Sequence, residues 1–414
     1  MSIDSSLLIP QAMIPYGKQD ISPEDIAAVI EVLKSDFITQ GPKVPEFEQA
    51  VAQQCINKNE GQVPYAIATN SATSALHIAC LALKVGEGDV VWTSPISFVA
   101  SANCALYCGA TIDFVDIDIS TGNISVEELT KKLALAEITN TLPKVIIPVH
   151  LAGQSCDMQA IKALSEKYNF AIIEDASHAI GGRYQASKVG SCNYSDITIF
   201  SFHPVKIITS AEGGMALTQH LELAEQMRLL RSHGVTSNPE NMSEASHGPW
   251  YYQQVALGFN YRMTELQAAL GLSQVKRLES FVTKRNQLAA TYDQAFSDSS
   301  LTCLTPATSI YSAYHLYIVL LPTFEKATQK EKHKAIVTAL RAKNICAHVH
   351  YIPIHLQPYY QQNANGLAFK QGDFPIAEEY YQRAISLPLY PKLSQDEQNY
   401  IIATVLDELN SLGV

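Results

Sequence analysis

Basic residues are in short supply. Against 40 Asp and Glu the chain has 29 Lys and Arg, a formal net charge of −11 over 414 residues. A nucleic-acid surface is normally basic overall, so that class of partner is not expected. A small anionic ligand is not excluded, because a local basic pocket can exist within an acidic surface. No apolar run approaches the ~20 residues needed to span a bilayer. The first fifteen residues carry Asp4 and no Lys or Arg, unlike the charged start of a signal peptide. The eight cysteines are scattered through apolar segments; Cys104 and Cys108 are spaced for neighbouring turns of one helix, with no second pair beside them. That pattern favours reduced thiols over a disulfide or zinc framework. The expectation is a soluble cytoplasmic protein. Also missing are G-x-x-x-x-G-K-[ST], a G-x-G-x-x-G after a strand, G-x-S-x-G and H-E-x-x-H. The chemistry behind those motifs is therefore not expected.

What is present divides into two parts. The length suggests two domains, a large one over residues 1–275 and a smaller α+β one over 276–414. Ser22 can cap a helix over 22–34 with Pro23 at its first position. Ile26, Val29, Ile30 and Leu33 give that helix one stripe expected to be buried. From about residue 65 to 220 continuous apolar runs alternate with helical patterns. The runs are Val90–Trp92, Thr111–Val115, Lys144–Val149, Phe170–Ile173, Asp196–Phe202 and Met215–Thr218, and the helices include Ala72–Lys84 and Met158–Tyr168. Strands that are apolar throughout indicate a sheet covered on both faces, a doubly wound α/β core. Residues 262–296 read as long amphipathic helix, Lys330–Lys343 as another, Cys346–Val349 as a strand, and Ser394–Leu412 as a final helix.

Three constellations carry chemistry. Asn70-Ser71-Ala72-Thr73-Ser74-Ala75 leads straight into an apolar helix, where free N–H groups and hydroxyls bind phosphate; alone, it reads as an ordinary cap. Glu174-Asp175 closes an apolar strand, so Asp175 projects from the carboxyl edge of the sheet, where ligands of such folds sit. Alone, that acid could cap a helix, bind a metal or pair with a pyridinium nitrogen. The third is Ser201-Phe-His-Pro-Val-Lys206, closing with Glu212-Gly-Gly214. A phosphate cradle, an acid for a ring nitrogen and an amine for a Schiff base are what an electron-sink cofactor requires. Their joint presence in this order points to pyridoxal 5′-phosphate (PLP).

On these blocks, with Thr93-Ser-Pro-Ile-Ser-Phe98, Glu174-Asp-Ala-Ser-His178, Arg231-Ser-His-Gly234 and Gly258-Phe-Asn-Tyr-Arg-Met-Thr-Glu-Leu-Gln267, the chain resembles the DegT/DnrJ/EryC1/StrS sugar aminotransferases from about Tyr16 onward. The resemblance implies the fold type I PLP-dependent transferase architecture, a large mixed sheet plus a smaller C-terminal domain. It implies Lys206 as the Schiff-base lysine and proton carrier, and Asp175 as partner of the ring nitrogen. Phe98 would lie on the ring face and His178 near the ring hydroxyl. Ala72 (through its N–H), Thr73 and Ser201 would hold the phosphate, with Asn260 reaching in from a second subunit of a homodimer. A sugar-nucleotide would meet Tyr16, Asp36, Phe37, Ile38, Thr39, Arg262, Tyr351, Ile352, Pro353 and Ile354, with Arg262 on the diphosphate.

Within the family, His348-Val-His-Tyr-Ile-Pro-Ile354 and the Phe98, His178 and His203 blocks are most similar to members acting in pseudaminic acid synthesis. Those members aminate C4 of a UDP-linked 4-keto-6-deoxy-N-acetyl-L-hexosamine, with L-glutamate as donor. Another UDP- or dTDP-4-keto-sugar is the alternative. A sugar 3-dehydratase would have histidine in place of Lys206. A non-catalytic PLP-binding regulator would call for a DNA-binding appendage, and none is evident. His348, His350 and His355 lack an acidic partner in the sequence pattern, which argues against a metal.

Overall fold

A computed structural model describes residues 10–56, 62–362 and 368–411; Asp4 and Leu412 lie outside them. Seven strands build the central sheet: β1 (Tyr65–Thr69), β2 (Val90–Thr93), β3 (Thr111–Phe114), β4 (Val145–Ile147), β5 (Ala171–Asp175), β6 (Ile197–Ser201) and β7 (Gly214–Thr218). Their order is β1-β7-β6-β5-β4-β2-β3. β7 runs antiparallel to both neighbours, and the pairs β6–β5, β5–β4, β4–β2 and β2–β3 are parallel. Strands that are apolar throughout need cover on both faces, and they have it. Leu76, Ile78, Ala102 and Ala105 of the helices Ala72–Ala82 and Ala100–Tyr107 pack on one face. Phe47, Val51, Val275 and Phe281 pack on the other.

The C-terminal part has its own three-stranded antiparallel sheet of Thr302–Cys303, Tyr317–Leu320 and Ala384–Leu387. The helices Leu278–Phe296, Lys326–Ala342 and Gln395–Ser411 pack with it around Tyr292, Val319, Leu340 and Ile401. Ile14 joins this core and bridges to Ile345, so the N-terminal segment is anchored on the C-terminal part.

Four features depart from the sequence reading. The expected helix over 262–296 is two, Glu265–Val275 and Leu278–Phe296. At the joint Arg277 donates to Asp20 and Asp25, and Gln274 donates to Asp25, fixing a polar knot there. That knot also turns the helix Pro23–Leu33. It buries Asp25 and Val32 and leaves Ile26, Ile30 and Leu33 exposed at 54%, 42% and 59%. The stripe expected to be buried therefore faces outward in the single chain. Cys346–Val349 forms no strand; it makes only an isolated bridge between His348 and Ser386. β1 was not among the strands expected from the apolar runs.

Candidate active site

Strand register gathers the site. Gly214, at the start of β7, lies opposite Thr69 at the end of β1 and Ser201 at the end of β6. Asp175 ends β5, beside β6. Ser71 caps the helix beginning at Ala72, its side chain accepting from the Ser74 N–H at 3.1 Å and its carbonyl from the Ala75 N–H, which leaves the Ala72 and Thr73 N–H groups for a ligand. That turn can approach the strands only because residue 214 has no side chain. A Cβ there would lie 2.4 Å from the Ala72 nitrogen and 2.5 Å from its Cα.

A cavity of about 540 Å³ opens here, bordered by Ala72, Thr73, Asp175, His178, Ser201 and Lys206. Phe98 forms part of its wall with its ring largely exposed, and Tyr16 and Tyr351 close another side. Asp175 is buried, and its orientation is fixed. Ser101 Oγ donates to Oδ2 at 2.6 Å and is itself 2.7 Å from Ser97 Oγ, while the Ser177 N–H donates to Oδ1 at 3.1 Å. Ser97 and Ser101 were missed by sequence reasoning, since two serines at a helix start carry no motif. One strand residue earlier, Glu174 faces away from the cavity and accepts from Ser195, Thr198 and His150.

Lys206 is half-buried. Loss of water around its ammonium pushes its pKa down to about 8, against the opposing pull of the Asp175 carboxylate. An amine with that affinity is available as a nucleophile near neutral pH. Desolvation, with Lys206 and His350 nearby, pushes His178 well below the ordinary imidazole value, so it is neutral. Burial also drives His350 down to about 3; its Nδ1 is 2.8 Å from Ser386 Oγ.

The remaining sequence-predicted residues fall into two groups. Ile352, next in the chain to cavity-lining Tyr351, is exposed, whereas Pro353 and Ile354 are buried; Ile354 is fully enclosed in the core and donates its N–H to the Pro95 carbonyl. Ile354 therefore fixes the loop and is not open to a ligand. Asp36, Phe37, Ile38, Thr39, Asn260 and Arg262 do not border the cavity of their own chain. The Ile38 carbonyl accepts from the Glu265 N–H and Thr39 bridges to Thr264, while the Asn260 carbonyl accepts from Asn70 Nδ2, just before the helix start. His355, expected to lack an acidic partner, pairs with Glu378 at 3.0 Å. Among the described residues no group of three His, Cys, Asp or Glu is arranged to hold a metal ion.

An amine, a serine-held carboxylate and a glycine-permitted helix start around one cavity fit the requirements of PLP, which supplies an electron sink when bound. Comparison with known proteins agrees. The chain belongs to the DegT/DnrJ/EryC1/StrS aminotransferase family, whose model matches residues 19–406. It is a PLP-dependent sugar aminotransferase of fold type I. It is 38% identical to the spore coat polysaccharide biosynthesis protein SpsC of Bacillus subtilis, covering 95% of this chain and 96% of that one. It is 34% identical to the UDP-4-amino-4,6-dideoxy-N-acetyl-beta-L-altrosamine transaminase of Campylobacter jejuni, over 97% and 98% of the two chains. Among solved structures, Helicobacter pylori PseC, an aminotransferase involved in the biosynthesis of pseudoaminic acid, superposes with a TM-score of 0.84 at 34% identity, covering 96% of this chain and 100% of that one. The sugar aminotransferase Spr1654 of Streptococcus pneumoniae, described as putative and solved in its PMP form, gives 0.84 at 30% identity over 97% and 98%.

Proposed function

We propose that this enzyme moves an amino group from L-glutamate to C4 of a UDP-linked 4-keto-6-deoxy-N-acetyl-L-hexosamine, in pseudaminic acid biosynthesis. The observation that carries the sugar assignment is the full-length likeness to the Campylobacter jejuni transaminase named for that amino-sugar. Asp175, held by Ser101, keeps the cofactor ring nitrogen protonated. Lys206, already prone to lose its proton, takes a proton from carbon and returns one. The Ala72 N–H, Thr73 and Ser201 hold the phosphate, Phe98 covers the ring face, and His178 lies on the ring-hydroxyl side with its two ring nitrogens held by the Ala152 N–H and Tyr351. Tyr16, Tyr351 and Ile352 meet the sugar.

The enzyme works as a homodimer with shared sites. Asn260 and Arg262 reach the neighbouring subunit's cofactor phosphate and nucleotide diphosphate, and the Asp36–Thr39 segment accompanies them. In support, Asn260 and that segment are exposed, and no acceptor among the described residues pairs with the Arg262 guanidinium. Exposed Ile26, Ile30, Leu33, Phe37 and Ile38 add an apolar face of the kind a subunit interface covers. Eight free thiols fit the reducing cytoplasm.

The likeness to SpsC supports the second reading, another UDP- or dTDP-4-keto-sugar. Turnover of a panel of UDP- and dTDP-linked 4-keto-sugars, in D and L configuration, with glutamate as donor, decides between them. The first reading expects kcat/KM highest for the UDP-linked L-sugar. A preference for a dTDP- or D-configured sugar rejects it.

A further inference from the structure

The hydrogen bonds around His178 have a fixed direction. The Ala152 backbone N–H donates to His178 Nδ1 at 3.3 Å. A backbone N–H can only donate, so Nδ1 carries no proton, and a neutral imidazole must carry its proton on Nε2. Nε2 lies 3.1 Å from Tyr351 Oη. The Nε2–H therefore donates to the phenol, and the phenolic proton must point elsewhere. No other partner of Oη is found among the described residues, and Tyr351 borders the cavity.

The loop that sets this direction is held in an unusual shape. Ala152 has φ 59° although it is not glycine. Gly153 has φ 99°, and a Cβ on it would come within 2.7 Å of Tyr314 N and 2.9 Å of the His178 carbonyl. The far side is also fixed, since Tyr380 Oη donates to the His350 carbonyl at 3.1 Å and His350 bonds Ser386. Burial pushes the Tyr351 phenol well above its ordinary pKa, so it is protonated before the sugar binds.

We propose that Tyr351 presents its phenolic proton to the keto oxygen of the sugar, and that the Ala152 N–H enforces this polarity through His178. The inference rests on transamination of a keto-sugar and not on which sugar is used. When nitrogen replaces that oxygen, the oxygen leaves as water with two protons, both supplied overall by the incoming nitrogen. Tyr351 lends one to the departing oxygen and recovers one from the nitrogen, so it ends unchanged. His178 is a positioning residue for Tyr351.

Three measurements on the full-length holoenzyme test this, using whichever keto-sugar turns over. Side-chain ¹⁵N spectra of histidine-labelled protein should show His178 protonated at Nε2 and bare at Nδ1; the opposite tautomer, or an imidazolium, overturns the proposal. Tyr351→Phe should lower kcat about a hundredfold while KM for the sugar stays within about threefold, with the cofactor absorbance unchanged in the absence of sugar. An unchanged kcat overturns it. So does a shifted absorbance without sugar, which would place the phenol on the cofactor's ring oxygen. His178→Gln can accept from Ala152 and donate to Tyr351 in the same order, so it should exceed His178→Leu in kcat by at least about tenfold. Equal rates for the two variants would reject the positioning role.

Discussion

At the scale of single residues the chemistry turns on an amine and a carboxylate whose surroundings differ. Asp175 receives hydrogen bonds from Ser101 and the Ser177 N–H, which fix its orientation; Lys206 is deprived of water, which destabilises its ammonium. The lysine's pKa of about 8 lies below the ordinary value of about 10.4. In cofactor-free protein the reactive neutral amine should thus appear as pH rises through about 8. The rate of reconstitution with PLP, followed by visible absorbance, should be half-maximal there; a midpoint near 10.4 would mean a solvated lysine. The sign for stability is the same. Between about 8 and about 10.4 the unfolded chain binds more protons than the folded one, so this group makes the cofactor-free fold more stable as pH rises through that window. Asp175→Asn keeps the phosphate cradle and the amine but removes the charge beside the ring nitrogen. It should retain bound cofactor by absorbance and lose about a hundredfold or more in kcat; turnover within a few-fold of wild type would mean the acid has another task.

At the scale of elements, precision comes from close backbone approach. Gly214 lets β7 slide beside the start of the helix Ala72–Ala82, and its replacement would push that turn away from Ser201. Gly214→Ala should fold and bind PLP at least about tenfold more weakly by equilibrium titration, the cost of roughly one lost hydrogen bond to a charged group. Affinity equal to wild type would show that the turn is not the cradle. The glycine pair was visible in the sequence, and so were the strand ends at Asp175 and Ser201, because continuous apolar strands followed by polar residues mark a sheet edge. The Ser97–Ser101 support was not legible, as it depends on a helix packing over the strand 74 positions later in the chain. The outward face of Pro23–Leu33 was misread for a related reason. Periodicity identifies the apolar stripe but not what covers it, and the pairing of buried Asp25 with half-buried Arg277 rolled the helix the other way. The break at 276–277 likewise depends on long-range bonds from Arg277 to Asp20 and Asp25, which no local propensity encodes.

At the scale of the whole molecule, a single chain gathers the cofactor-binding geometry at one sheet edge, with Asn260 and Arg262 outside the cavity lining and Ile26, Ile30, Leu33, Phe37 and Ile38 exposed. Two subunits exchanging those groups would complete two sites. Mixing inactive Lys206→Ala with inactive Asn260→Ala subunits should restore up to about a quarter of wild-type activity if they pair at random. Each mixed dimer then has one intact site, as expected for a symmetric pair. A monomer by light scattering, or no recovery from subunits that do exchange, would rule out shared sites. The account as a whole stands on the covalent link between Lys206 and PLP. Borohydride reduction of the holoenzyme, followed by proteolysis and mass spectrometry, fixes the cofactor where it is attached. The account predicts the pyridoxyl adduct on the peptide carrying Lys206, and its loss in Lys206→Ala; an adduct on another lysine, or none in active enzyme, would contradict it.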